Sequence, residues 1–520
     1  MKKYLFLVAA VLGFASCVEK GIDNSSEQNG ELVQSYVAIT LAADDMTTKA
    51  GNDYEAGLSE ERVIKSAYVF FFKDGVAFPV SFDGTTSTNE GTLNYLPLNL
   101  TGDGQGSASV SDVKDAVLVL QNYKGEYPDK IFVVLNWTPQ RKLYNLSELK
   151  EEIAGLGNTS TGLVMSNAVY ADNAGNTVDA VNLTIDNIAK TAADALANPV
   201  IVYVERVAAK VLFSATDEGK FAVEKKIDNK QIYAQIKNFE LYNDYENSWL
   251  VKRIDPTWAS IGHAWNDPEW FRSYWAKSLE TDFTDNTFSW STDNTAIGEY
   301  VYCGENTRQW SESNDVRTKV IVKAQLVDEA GNPVEVVSWY GKDYIGEDAL
   351  KTVVANTIKN TYFSGDGQTF TGITHDDIKC VARDVKADKA YEVYFQLSTT
   401  GLTKFWYKYE NGNYSKIADH ATLNTLLAAV QPALVYTNGM TYYWTDIKHL
   451  GNKNTLTEYG VVRNHVYKVN ITDITGYGTP IYSDVIDYIK LEKPQDVQSY
   501  VAAQVNILSW RIVENDYNLN

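Results

Sequence analysis

Residues capable of acid–base or metal chemistry are present in this chain but are not arranged for it. The five histidines, His263, His375, His420, His449 and His465, are scattered, and none forms a His-x-x-x-His pair. Nor is there a Cys-x-x-Cys; these are the spacings that set two ligands on one side of a transition metal. The sequence also lacks a Gly-x-Ser-x-Gly elbow to expose a serine nucleophile and a Gly-x-x-x-x-Gly-Lys-Ser/Thr loop to cradle phosphate. With 67 Asp and Glu, no pair of carboxylates singles itself out. His375-Asp376-Asp377 reads as a calcium-binding corner or a solvated loop, and the loop is the simpler reading. The expectation is no enzyme, no cofactor and no metal.

Cysteine chemistry is better placed. Residues 1–17, MKKYLFLVAAVLGFASC, carry two lysines, an apolar stretch and small residues before Cys17, the build of an export signal. Phe14-Ala15-Ser16-Cys17 resembles a bacterial lipobox, with Phe14 where Leu is usual. In a lipobox the cysteine thiol receives lipid and becomes the first residue after cleavage; an ordinary secretory signal with an incidental cysteine is the other reading. Residues 18–30 are polar and rich in Gly, Ser and Asn, as a tether between lipid and folded body would be. Cys303 and Cys380 can pair or stay free, and two cysteines are no disulfide framework.

The elements around these residues are strands. Thirty-four Tyr and 18 Phe against 4 Met and 11 Pro favour pleated, half-buried surfaces. Short alternating runs fit strands at Val63–Phe72, Lys130–Leu135, Pro199–Ala215, Gln231–Tyr242, Lys319–Val327 and Tyr391–Leu397. Helical spacing is confined to Leu350, Val353, Val354, Thr357 and Ile358, and to Leu423, Leu426, Leu427 and Val430. Strands without regular crossover helices argue for antiparallel sheets. At 520 residues two domains are expected. The composition changes just before Pro199, which sets an N-terminal domain at 50–198 and a C-terminal domain at 199–490. Seven tryptophans, Trp249, Trp258, Trp265, Trp270, Trp275, Trp290 and Trp310, crowd residues 245–315 and mark an insertion. They read as a local core, with a glycan-stacking surface as the alternative.

A net charge of −21 argues against nucleic acid, which needs a concentrated basic surface. No second long apolar run follows the leader.

Tyr442-Tyr443-Trp444-Thr445-Asp446-Ile447-Lys448-His449-Leu450-Gly451 and Tyr459 to Ile471, YGVVRNHVYKVNI, resemble the C-terminal region of the Mfa1-family major fimbrillins of Bacteroidetes. The ending Ser499–Leu519 resembles that family's terminal strand, and Lys49-Ala50-Gly51-Asn52-Asp53-Tyr54 its maturation site. The resemblance implies two tandem transthyretin-like antiparallel β-sandwich domains with small helical decorations. It also implies a lipoprotein precursor on the outer membrane, and a fimbrial shaft subunit that polymerises once an N-terminal strand within 18–49 is cut away. Its partners would be copies of itself, other fimbrial subunits and a host or bacterial surface ligand. Lys49 stands where arginine-processed relatives have Arg, and Arg62 is a second candidate cut. His449 and His465 read as packing or hydrogen-bonding residues, and Arg463-Asn464 as a turn or strand end. A monomeric lipid-anchored binding protein and a fimbrial anchor subunit are the alternatives.

One repeat needs no family. Val33-Gln34-Ser35-Tyr36-Val37-Ala38 recurs as Val497-Gln498-Ser499-Tyr500-Val501-Ala502. Alternation then puts Val33, Val37, Ile39 and Leu41 on one face of the first strand, and Val497, Val501, Val505 and Ile507 on one face of the last. Two strands with the same face can fill the same groove. Residues 491–520 are therefore expected to hold a donor strand, 497–513, that replaces residues 31–43 in a neighbour, with Tyr500 inside the repeat and Trp510 near its end either fixing the register or covering the subunit's own surface; two unrelated surface strands are the other reading of the repeat.

Overall fold

The computed structural model describes residues 32–42, 54–55, 57–80, 93–98, 108–109, 116–123, 126–172, 174, 176–256, 275–281, 283, 295–309, 316–382, 392–449, 457–482, 500–505 and 510–519. Cys17, Lys49, Ala50, Val497 and Ile507 lie outside them.

The first sheet is built from β1 (Leu32–Ala42), β3 (Ala67–Lys73), β4 (Ala116–Tyr123), β5 (Lys130–Leu135), β6 (Met165–Asn167) and β7 (Val200–Arg206), while β2 (Tyr54–Glu55) joins a different sheet. Its order is β3-β5-β6-β7-β1-β4. The strand sequences AYVFFFK and KIFVVL are dominated by β-branched and aromatic residues because both faces are covered. Period two sorts them: Val69, Phe71, Ile131 and Val133 pack with Val37 and Ile39 on one face. Phe70, Phe72, Phe132 and Val134 pack with Tyr144, Leu149 and Val207 on the other.

Downstream come β8 (Ala209–Ala215), β9 (Lys220–Ile227), β10 (Lys230–Tyr242), β11 (Tyr300–Cys303), β12 (Lys319–Val327), β13 (Met440–Asp446), β14 (His465–Ile474), β15 (Tyr500–Val505) and β16 (Trp510–Leu519). One sheet runs β2-β16-β14-β8-β11 with β15 paired to β16, and the other runs β9-β10-β12-β13. A shared core joins the two sheets, with Val211 and Phe213 of β8 and Val469 and Ile471 of β14 meeting Ile236 and Phe239 of β10 and Val320 and Val322 of β12. The Phe213 and Phe239 rings stack with centroids 4.4 Å apart. The chain is thus mostly β, with small helices.

The run Pro199–Ala215 is two strands in two sheets. β7 pairs with β6 and β1 in the first sheet, and β8 with β11 and β14 in the second. The changeover falls at Val207-Ala208, later than the composition change before Pro199. Both residues are fully buried, so the chain crosses between cores with no polar turn to mark the seam.

Between β12 and β13, residues 328–439 form a module with its own core. α1 (Glu347–Ile358) and α2 (His420–Ala428) match the two helical spacings read in the sequence. Leu350 and Val354 of α1 and Leu423 and Leu427 of α2 pack there against Val337, Phe395 and Trp406. In the tryptophan-rich segment, Trp275 is buried and lies 5.6 Å from His449 between ring centroids, while the Arg253 guanidinium sits 3.4 Å over Trp249. Trp258, Trp265, Trp270, Trp290 and Trp310 lie outside the described residues. Cys303 and Cys380 are buried and free, and burial raises both thiol pKa values.

Candidate functional site

β1 is an interior strand of the first sheet although it lies near the start of the chain. It runs parallel to β7, Ile39 opposite Val200 through Ala42 opposite Tyr203. On its other side it runs antiparallel to β4, from Leu32 opposite Tyr123 to Ile39 opposite Ala116. Tyr36 exchanges two main-chain hydrogen bonds with Ala189, at 2.8 and 2.9 Å. Val37, Ala38 and Ile39 are sealed from solvent, Val37 and Ile39 in the core as their alternation implied. Burying those two aliphatic side chains is worth roughly 3–6 kcal/mol.

The described part of the second copy, Tyr500–Ala502, lies on the chain's own body. β15 forms an antiparallel hairpin with β16, Tyr500 opposite Asn518 through Val505 opposite Val513. β16 runs parallel to β14, from His465 opposite Arg511 to Ile474 opposite Leu519. Residues 497–513, read as one strand, are therefore divided between two: Tyr500, Val501 and Val505 belong to β15, and Trp510 opens β16. The start of β16 also pairs with β2, Tyr54 opposite Arg511 and Glu55 opposite Trp510.

Sequence reasoning missed Glu61, one residue before Arg62. In the sequence Glu60-Glu61-Arg62 looks like any solvated charge cluster, yet Glu61 has no exposed surface. Its Oε1 accepts from Lys210 Nζ of β8 and from the Tyr302 hydroxyl of β11, both at 2.6 Å. Oε2 accepts from the Leu58 amide at 2.8 Å, and the Glu61 carbonyl accepts from Arg206 Nε at 3.2 Å. Burial alone would raise the carboxyl pKa, but the bonds from Lys210 and Tyr302 outweigh it and hold it below the ordinary value. No spacing signal marks such a group, since its partners lie 149 and 241 residues away.

The residues Tyr459–Ile471 also serve structure. His449 Nδ1 lies 2.9 Å from the Tyr467 hydroxyl and His465 Nδ1 lies 2.6 Å from the Arg463 carbonyl, with both rings buried. Asn464 takes φ +58°, which turns the chain into β14. Asp377 is buried, caps the turn at the Thr374 amide (3.0 Å) and pairs with Lys404 (2.6 Å), while His375 is exposed beside Asp376. Among the described residues, no group of three or more His, Cys, Asp or Glu is placed to hold a metal ion, and no helix is long and apolar enough to cross a membrane.

Residues 434–516 match the family model of the C-terminal region of fimbrillin, the type IV major fimbrial subunit protein. No curated protein matches the sequence. Solved structures that match the chain include a fimbrillin, FimA, from Porphyromonas gingivalis W83, at 12% identity over 93% of this chain and 98% of that one, TM-score 0.36. A fimbrial assembly protein from Parabacteroides distasonis is 11% identical over 74% of this chain and 100% of that one, TM-score 0.27. The tip fimbrial protein Mfa3 of P. gingivalis is 14% identical over 61% and 81%, TM-score 0.26. The fimbrillin resemblance of Tyr442–Gly451 and Tyr459–Ile471 is borne out by the family model, which spans both segments. The C-terminal region is thus similar to that of fimbrial subunits.

Proposed function

With a fimbrillin C-terminal region over residues 434–516 as the premise, we propose that the chain is the exported, lipid-modified precursor of a fimbrial shaft subunit at the cell surface. Cleavage between Lys49 and Ala50 frees β1, and residues 497–513 of another subunit take its place between β7 and β4. The observation that carries this reading is the position of β1. It fills the middle of a sheet whose other strands all lie after the cut, so proteolysis leaves it held only by main-chain bonds and side-chain burial. A departing interior strand leaves two unpaired edges, and a strand with the same alternation fits them best.

The cut belongs to the polar stretch between β1 and β2 in the sequence, the kind of linker on which processing concentrates. Lipid on Cys17 would hold the precursor at the outer membrane until then. Tandem transthyretin-like sandwiches, implied by the fimbrillin resemblance, suit this assembly because each subunit needs one groove and one donor.

A second reading, a monomeric lipid-anchored binding protein, draws support from the pairing of β16 with β14 and β2 on its own body. Mass spectrometry of the mature N-terminus with electron microscopy of sheared surface material separates the two. Ala50 at the N-terminus of a fibre subunit is expected; a lipidated Cys17 on a monomeric surface product would sink the shaft reading.

A further inference from the structure

Resting on that reading, we propose that Tyr54–Glu61, the segment retained just after the cut, is a clip that keeps the C-terminal strand on its own subunit and must release it before donation. One edge of β16 is covered by β14 along its length. The opposite edge is covered by β15 from Val513 to Asn518, and β2 covers the remaining start of the strand at Trp510 and Arg511. With β2 in place, no part of β16 from Trp510 to Arg511 offers a free edge on that side.

A two-residue strand does not hold itself in a sheet. β2 is held from its far end. Six residues beyond Glu55, the Glu61 carboxylate is fastened to Lys210 of β8 and Tyr302 of β11, and its carbonyl to Arg206. In the order β2-β16-β14-β8-β11, the clip therefore starts outside β16 and ends on strands at the other side of the sheet. At ~4.8 Å between strands, β2 and β8, three spacings apart, lie about 14 Å from one another. Six residues reach up to roughly 20 Å, so the span closes without forcing the chain straight. Arg206 also lies 3.4 Å from the Asn464 side chain, at the entrance to β14. The fastening thus touches β8, β11 and the lead-in to β14, and its free end rests on β16.

The cut at Lys49 leaves this clip intact while it frees β1. Groove opening and donor release become separate events: proteolysis makes the acceptor, and loss of the β2 pairing makes the donor.

The test uses purified subunit cleaved at Lys49, in three forms: unchanged, Glu61→Gln and Tyr54→Pro. Glu61→Gln loosens the fastening, and Tyr54→Pro removes a β2 amide without touching it. Hydrogen–deuterium exchange of residues 510–513 in the monomer is the first readout, and the lag before fibres form is the second. The clip predicts at least tenfold faster exchange at 510–513 and a shortened lag in both variants, with circular dichroism unchanged. A Tyr54→Cys, Arg511→Cys cross-link should block assembly until reduced. Unchanged exchange in both folded variants overturns the clip, whether or not fibres form. Faster exchange in subunits that never polymerise supports the clip and counts against donor exchange, so the two failures are distinguishable. If Glu61→Gln does not fold, the Tyr54→Pro and cross-linked forms decide alone.

Discussion

The Arg463 guanidinium lies against the Glu305 carboxylate, Nη2 to Oε2 at 3.2 Å, with both side chains sealed from solvent. The Arg463 amide also donates to Glu305 Oε1 at 3.2 Å, and Nη2 to the Trp249 carbonyl at 2.6 Å. This pair ties the turn before β14 to the segment after β11. Removing one partner of a buried pair strands the other charge, at a cost of about 3–5 kcal/mol. Glu305→Gln should therefore lower the unfolding free energy by about that much in urea; a loss under about 1 kcal/mol would show that the neighbouring carbonyls suffice for Arg463.

The repeat makes a register prediction. Aligning Val497–Ala502 on Val33–Ala38 puts Val501 in the place of Val37 and Ala503 in the place of Ile39. Ile39 is fully buried, so a donor in this register would fill that site with too little side chain. Ile-to-Ala differences in sealed sites amount to about 2–5 kcal/mol. A synthetic 497–513 peptide carrying Ala503→Ile should bind the cleaved subunit more tightly than the natural sequence, by tenfold or more. Weaker or equal binding would mean that the copies do not superpose in this register.

Processing should be selective between two basic residues. Arg62 ends the short turn Ser59–Arg62, whose Glu61 is fastened on three sides, so the bond after Arg62 is poorly placed to enter a protease cleft. Lys49→Ala should leave an uncut, lipid-bearing precursor, while Arg62→Ala leaves the mature N-terminus at Ala50. Mass spectrometry of the surface protein reads both, and a mature N-terminus at Val63 would reverse the assignment.

Donation by the C-terminal segment predicts that deleting residues 497–520 gives cleaved, monomeric protein. Val501→Asp with Val505→Asp should do nearly the same, since a buried unpaired carboxylate is costly. Fibres of normal length from either variant, seen by electron microscopy, would rule the segment out as donor.

Asp244, just after β10, has its pKa raised to about 6 by burial and by the charges of Glu246 and Glu240, against a main-chain hydrogen bond that lowers it. The folded chain thus holds this proton more tightly than the unfolded one. Stability on this account falls as pH rises from about 4 to about 6 and is level above, a loss of about 2–3 kcal/mol. Asp244→Asn should recover that amount at pH 7.5 and little at pH 4 in urea unfolding. A gain of equal size at both pH values would assign the effect to packing instead.

The long strands were legible because β-branched and aromatic residues alternate within them: Lys130–Leu135 and Lys319–Val327 stand where the sequence puts them. The helices around Leu350 and Leu423 were legible from their spacing. What escaped depended on distant partners or on the lack of punctuation. Val207-Ala208 carries no Gly or Pro, so two strands read as one, and the donor segment read as one strand where there are two. The module at 328–439 is not legible because its strands are short and its core joins residues far apart in the chain, such as Val337, Phe395 and Leu427. Of the proposed assembly site, the repeat is visible in the sequence, but the pairing of β1 between β7 and β4 and the fastening of Glu61 need three dimensions.

The closure of β12 on β13 has a consequence for what a polymer could display. Gln325 faces Met440 across that pair, so the chain leaves the sandwich and returns to it about one strand spacing away. A short turn joining Val327 to Met440 would complete the same sheet. The module is thus hung on a hairpin position, where insertions change the surface without changing the joint. Its length and side chains can change without altering the pairing of β12 with β13, and a foreign peptide spliced at the same place would be displayed once per chain.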